Sequence, residues 1–134
     1  MYGTFDVLTS GLVAQRSRMD VISANLLNRN TLLNEAGEYA PYRRQFVELA
    51  AGEPVSGSSR GVHVANIATD MSPFEMKYEP GSPHANADGY VAYPNVNPVI
   101  EQMNAMEVAR AYEANIAAIE ATKSMVSVAL ELIA

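Results

Sequence analysis

The chain has no cysteine and no tryptophan. Without cysteine there is no disulfide framework, no thiolate metal site and no thiol nucleophile. Basic residues are scarce: 9 Lys and Arg stand against 15 Asp and Glu, a formal net charge of -6, and the adjacent basic pair is Arg43-Arg44. Nucleic acid and anionic membrane both require clustered positive charge, so neither is expected as a partner. Long apolar runs are missing too, since no window of about 18 residues is apolar enough to span a bilayer. The start, MYGTFDVLTS, lacks a positive n-region and places Asp6 where a signal peptide is apolar, so no cleaved secretory signal is expected. At 134 residues the chain is the size of one domain with one core.

Helix breakers are almost absent from both ends. The 7 prolines fall between Pro41 and Pro98, and of the 8 glycines only Gly3 and Gly11 lie outside the stretch from Gly37 to Gly89. This punctuation divides the chain into an N-terminal segment 1–32, an insert 33–97 and a C-terminal segment 98–134. In the first segment Phe5, Leu8, Leu12, Gln15, Met19, Ile22 and Leu26 recur at alternating spacings of three and four, the seam of a helix that packs on another helix. Thr4 is the expected N-cap, with Asp6 in the first turn, where a negative charge meets the positive end of the dipole. In the last segment Asn97-Pro98 is a start signal: the asparagine caps free amides and the proline sits where no amide is needed. Nothing stops a helix from there to Ala134, roughly 36 residues or about 54 Å. Its stripe runs Ala105, Ala109, Tyr112, Ile116, Ile119, Lys123, Val126, Leu130 and Ile133.

The first helix enters the insert and the last one leaves it, so the simplest arrangement lays them antiparallel as a coiled-coil-like rod. Val108, Met125, Val128 and Leu132 lie off the main stripe and leave a second apolar face. Either the insert covers that face or it is an association surface. The insert reads as strand and turn. Tyr42–Leu49 and Gly61–Ala68 alternate, Tyr90–Tyr93 follows an Asp88-Gly89 turn, and Gly52–Gly61 reads as a flexible loop. The expected fold is therefore mainly α with a small β insert.

Chemistry is thinly represented. No common catalytic or phosphate-cradling motif occurs. His63 alternates within a strand, where a surface or half-buried place is the usual one. HANADG, His84 to Gly89, has histidine at the first ligand position of a calcium loop and reads as a turn. Carboxylate pairs such as Glu101 with Glu107, or Glu113 with Glu120, sit on a long helix where a solvated face is the default. A hydrolase would need a carboxylate pair in the insert, and the spacing of Glu48, Glu53, Asp70 and Glu75 singles out none. No enzyme, cofactor, metal or small-molecule substrate is expected.

The stretch ISANLLNRNT, Ile22 to Thr31, ends the first helix in asparagines. Asn28 or Asn30 suits a left-handed C-terminal cap. Asn25 lies inside the last turns, where its amide is unfavourable unless it bonds something specific. Asn25 and Asn115 are accordingly expected to bond the chain where it leaves the rod, or a neighbouring subunit; the alternative is that both face solvent.

These residues carry a resemblance. Ala14–Thr31 resembles the N-terminal signature of bacterial flagellar axial proteins, an A-N-L-A-N-x-x-T core in which Leu27 here replaces the second alanine. Tyr78–Met125 is similar almost throughout to proximal rod proteins of the FlgC type, through Asp88-Gly89-Tyr90-Val91, Pro94-Asn95-Val96-Asn97 and Arg110-Ala111-Tyr112 followed by Asn115. The resemblance implies a structural subunit of the flagellar basal-body rod, polymerising through its terminal helices in the periplasm and transmitting motor torque. It implies as partners other rod subunits and itself, the rod-base adaptor and membrane ring, and the type III export apparatus, with export lacking a cleaved signal peptide. The assembly interface on this reading comprises Leu8, Leu12, Met19, Ile22, Asn25, Leu26 and Asn28 of the first helix. From the last it takes Tyr112, Asn115, Ile116, Ile119, Val126, Leu130 and Ile133. The competing class is a soluble helical adaptor or export chaperone that binds partner helices in a groove.

Overall fold

The structure, a computed structural model, describes residues 2–52 and 59–133. Its elements are α1 (Tyr2–Leu27), β1 (Gln45–Ala51), β2 (Val62–Thr69), β3 (Glu75–Tyr78), β4 (Tyr90–Tyr93) and α2 (Pro98–Ile133). Two long helices thus flank a small β insert, as the distribution of proline and glycine predicts. The Gly52–Gly61 loop falls largely on residues outside the described ones.

α2 starts where the sequence places it. Asn97 Oδ1 accepts hydrogen bonds from the backbone N–H of Val99 at 3.0 Å and of Ile100 at 3.4 Å, and Pro98 occupies the first helical position. Its 36 residues make a rod about 54 Å long. The start of α1 differs from expectation: the helix is already formed at Tyr2, so Thr4 lies inside it and is not its cap.

The end of α1 also corrects the sequence reading. Among the described residues no non-glycine residue has positive φ, so neither Asn28 nor Asn30 is a left-handed cap. Asn28 instead closes the helix through its amide. Its backbone N–H and its Nδ2 both donate to the Ala24 carbonyl, at 3.0 and 2.9 Å, and its Oδ1 accepts from the Thr31 hydroxyl at 3.1 Å. The side chain repeats the last backbone bond, which makes a strained backbone unnecessary.

The insert forms two antiparallel pairs. β1 pairs with β2, with an irregularity between Glu48 and Leu49, and β3 pairs with β4, Glu75 opposite Tyr93 and Tyr78 opposite Tyr90. β3 was not predicted. The backbones of β1 and β2 lie against α1, whereas among the described residues those of β3 and β4 approach neither helix as closely. Gly61 makes the α1 contact possible: φ is 84° and an added Cβ would stand 2.7 Å from Ser10 Oγ, which accepts the Val62 N–H at 3.1 Å.

Small residues bring the helices together. A Cβ on Gly11 would lie 3.0 Å from the Asn115 amide, and the buried apolar residues are Ala14, Val21 and Ile22 on α1 with Val108 on α2, joined by Val91 and Val96 of the insert. Val108, assigned by its spacing to the leftover face, is in fact 1% exposed and belongs to the contact between helices. The expected seam on α1, Phe5, Leu8, Leu12, Gln15, Met19, Ile22 and Leu26, is half-buried along its length, with Ile22 buried. A stripe drawn through the largest side chains passes beside Gly11, which lies against the Asn115 amide, and Ala14, which is buried. The other members assigned to the leftover face, Met125, Val128 and Leu132, are exposed, and no strand covers them.

Val108→Ala is therefore expected to cost about 2 kcal/mol of stability through lost burial and a cavity. Val128→Ala, on the exposed side of the same helix, should stay within about 0.5 kcal/mol. Urea unfolding of the two variants beside the parent measures the difference.

Candidate functional site

Two features of this fold are candidates for function: a buried polar junction at one end of the helix pair and a bare apolar end at the other.

The junction is built around Asn25, which is 0% exposed in the last turn of α1. Its Oδ1 accepts from the Gln45 N–H at 2.9 Å and the Tyr42 hydroxyl at 3.0 Å. Its Nδ2 donates to the Gln45 carbonyl at 2.8 Å and to Glu101 Oε2 at 3.2 Å. All the capacity of the amide is used, which is why a residue unfavourable within a helix is tolerated there. Both backbone groups of Gln45, the first residue of β1, are thereby tied to α1. Of the alternatives posed for Asn25, it takes the first: it bonds its own chain where the chain enters the insert.

Glu101, in the first turn of α2, is also 0% exposed. Sequence reasoning placed it on a solvated face beside Glu107, and the structure corrects this. Its Oε1 accepts from Arg44 Nε and its Oε2 from Asn25. Glu107 alone is on the outer surface, 3.3 Å from Arg18. Arg44 reaches a second carboxylate, Asp70 Oδ2, at 3.5 Å. Its backbone N–H donates to Asn95 Oδ1 at 2.9 Å, and Asn95 Nδ2 donates to the carbonyls of Asp70 and Ser72 at 3.1 and 3.3 Å. Arg43 donates to the Ser72 carbonyl at 3.1 Å and lies over the Phe74 ring, 4.1 Å from its centre. Among the described residues no buried side-chain polar atom lacks a partner.

Two titrating groups border the junction. Burial, and then the charge of Glu101, raises the Tyr42 phenol above its ordinary value. Hydrogen bonds from Ser72 and the nearby Arg44 guanidinium hold the Asp70 carboxyl below the usual carboxylate range. Neither arrangement resembles a catalytic pair. Glu48 is bonded to Asn66 at 3.3 Å and Asp70 to Ser72, while Glu53 lies outside the described residues.

The predicted interface residues are distributed along both helices. Ile22 and Asn25 are buried; Leu8, Leu12, Met19, Leu26, Asn28, Asn115, Ile119 and Val126 are half-buried; Tyr112, Ile116, Leu130 and Ile133 are exposed. Asn115 lies against Gly11 and has no side-chain hydrogen bond among the described residues. The bare end is the last two turns of α2, where Leu132 is 84% and Ile133 83% exposed. Tyr42, Arg44, Asp70, Asn95 and Glu101 were missed as a group. The available signal was Asn25, whose placement within a helix required partners the local sequence does not provide.

The fold is a helix pair with a bare apolar end, and comparison with known families identifies its class. Residues 5–31 match the family described as "Flagella basal body rod protein", and residues 87–132 match "Flagellar basal body rod FlgEFG protein C-terminal". The chain is 43% identical to the flagellar basal-body rod protein FlgC of Bacillus subtilis (strain 168), over 98% of this chain and 97% of that one. It is 38% identical to FlgC of Salmonella typhimurium, over 96% and 94%, and 37% identical to FlgC of Borreliella burgdorferi, over 99% and 97%. The chain belongs to the FlgC family of flagellar basal-body rod proteins.

Asn25→Ala should strand Gln45, Tyr42 and Glu101 together, an expected loss of about 3 kcal/mol or more by urea unfolding. The pH profile of stability has two limbs. A lowered Asp70 pKa contributes stability that is present above about pH 4 and is lost as pH falls through the lowered value. A raised Tyr42 pKa contributes stability that is complete below about pH 10 and is lost as pH rises through the raised value. Asp70→Asn should flatten the acid limb alone and Tyr42→Phe the alkaline limb alone.

Proposed function

We propose that this chain is a structural subunit of the flagellar proximal rod, built into the periplasmic drive shaft through its terminal helices. The observation that carries the reading is near end-to-end similarity to FlgC rod proteins, combined with an apolar helix end left exposed among the described residues. Members of the family are structural, and no reaction is assigned to the chain.

The helices form an antiparallel, coiled-coil-like rod on this reading. The order of contacts supports it: Gly11 meets Asn115, Arg18 meets Glu107 and Asn25 meets Glu101, so positions advance along α1 as they retreat along α2. The segments 1–32, 33–97 and 98–134 then act as axial helix, insert and axial helix. α2 is ten residues longer than α1, 36 against 26, and the excess projects as the bare end. Its apolar side chains are buried only when neighbouring subunits cover them, which couples ordering of the helices to assembly. A heterologous contact that does not close generates a helical tube, the geometry a rod requires.

Other rod subunits and further copies of this chain are the partners that fit such a surface. The rod-base adaptor, the membrane ring and the type III export apparatus follow from the same reading, as does export without cleavage of a signal peptide. The adaptor alternative is not favoured, because the relatives matched over almost their whole length are rod proteins.

Electron microscopy of basal bodies from cells whose only copy of this protein lacks residues 120–134 tests the proposal. Membrane rings without a rod, in nonmotile cells, are expected; intact rods with normal swimming would overturn it. A finer probe is Leu132→Asp. The isolated protein should keep its stability within about 0.5 kcal/mol while swimming is lost.

A further inference from the structure

The insert is attached to the rest of the chain unevenly. The backbones of β1 and β2 lie against α1, whereas those of β3 and β4 stand away from both helices among the described residues. The β3–β4 pair is held to the rest of the molecule by the burial of Val91 and Pro94, by the stacking of Tyr39 on His84 at 4.6 Å, and by polar contacts. The Tyr39 hydroxyl donates to the Ala92 carbonyl at 2.8 Å and accepts the Ala92 N–H at 3.1 Å, holding β4 to residues that lead into β1. Asn95, just past β4, binds the Arg44 N–H and the carbonyls of Asp70 and Ser72. Arg44 then passes the connection to Glu101 of α2 and, through that carboxylate, to Asn25 of α1. Between residues 33–96 and α2, the Arg44–Glu101 ion pair is the one side-chain hydrogen bond or ion pair among the described residues.

A buried ion pair is a poor source of stability, because desolvating two charges cancels most of their attraction, but it demands one geometry. We infer that the Arg44–Glu101 pair, with Asn95, is a rigid joint that fixes the orientation of the β3–β4 sheet relative to the helix pair. Arg44 and Glu101 are positioning residues: they contribute a unique angle and little net stability. In a subunit that carries torque, a sheet free to swivel would absorb rotation, and a locked one turns with the helices. That mechanical meaning rests on the rod reading; the joint itself does not.

The absence of cysteine permits a direct test on the isolated full-length protein. Spin labels at Ala87→Cys, exposed in the β3–β4 connection, and at Met106→Cys, exposed on α2, report one distance distribution. It should be narrow in the labelled parent. In Arg44→Met/Glu101→Leu, which replaces the pair with apolar groups of similar size, it should broaden about twofold while the unfolding midpoint stays within about 5 °C. Glu101→Gln, which keeps the shape and the Asn25 contact, should fall between. An undiminished narrow distribution in the double variant would overturn the joint, as would a parent distribution that is already broad. Failure of the double variant to fold would also overturn it, by assigning the pair to stability. None of these outcomes depends on whether rods form, so the joint and the rod reading stand or fall separately.

Discussion

The structure depends on one crossing of buried polar groups, where the Asn25 amide bonds both backbone groups of Gln45 and the Glu101 carboxylate. Three parts of the chain meet there: the last turns of α1, the entry to β1 and the first turn of α2. Such a contact admits little tolerance, because every donor and acceptor of the amide is used and water is excluded. An apolar core residue at position 25 would pack in many ways, whereas the amide fits one. The register of the helix pair and the point at which the insert departs are therefore set together, at the same end of the molecule.

From that end outward the character of the helix pair changes. Near the junction the contacts are buried, as at Ile22 and Val108; farther along they pass to the close approach of Gly11 and Asn115; beyond the start of α1, α2 continues with Leu130, Leu132 and Ile133 exposed. Cohesion within the chain thus falls along its length while unsatisfied apolar surface rises. The chain thus has an internally determined end and an end whose apolar side chains are exposed. For a family that builds rods, this separates the geometry a subunit brings to assembly from the surface it offers.

Much of this was legible in the sequence, and the failures have physical causes. The helices were visible because prolines and most glycines are confined to the middle, and the Asn97-Pro98 start was read correctly because capping is local. β1 and β2 were visible through alternation, and β4 through the Asp88-Gly89 turn before it. β3, Glu-Met-Lys-Tyr, escaped because four residues with two charges leave little alternation to detect; its pairing with β4 is decided by tertiary context. Gly11 and Ala14 escaped because hydrophobicity identifies large side chains, whereas Gly11 lies against the Asn115 amide and Ala14 is buried. Glu101 was assigned to solvent because a carboxylate in the first turn of a helix is commonplace; the partner that buries it, Arg44, lies 57 positions away.

Asn25 shows what kind of sequence signal reaches such long-range structure. Propensity says that an amide within a helix is costly, so its presence implies a compensating partner, even though the partner is not named. Glu101 gives no comparable signal, since glutamate suits a helix whether buried or not. The asymmetry is general to buried polar junctions: members that violate a local rule announce the site, and members that obey one are found only when the fold brings them together. Here the announcing residue sits on α1 and the silent one on α2, so the sequence pointed to a junction but gave only half of its membership. The missing half includes the charge pair that links α2 to the insert, the contact on which the relative orientation of sheet and helices turns.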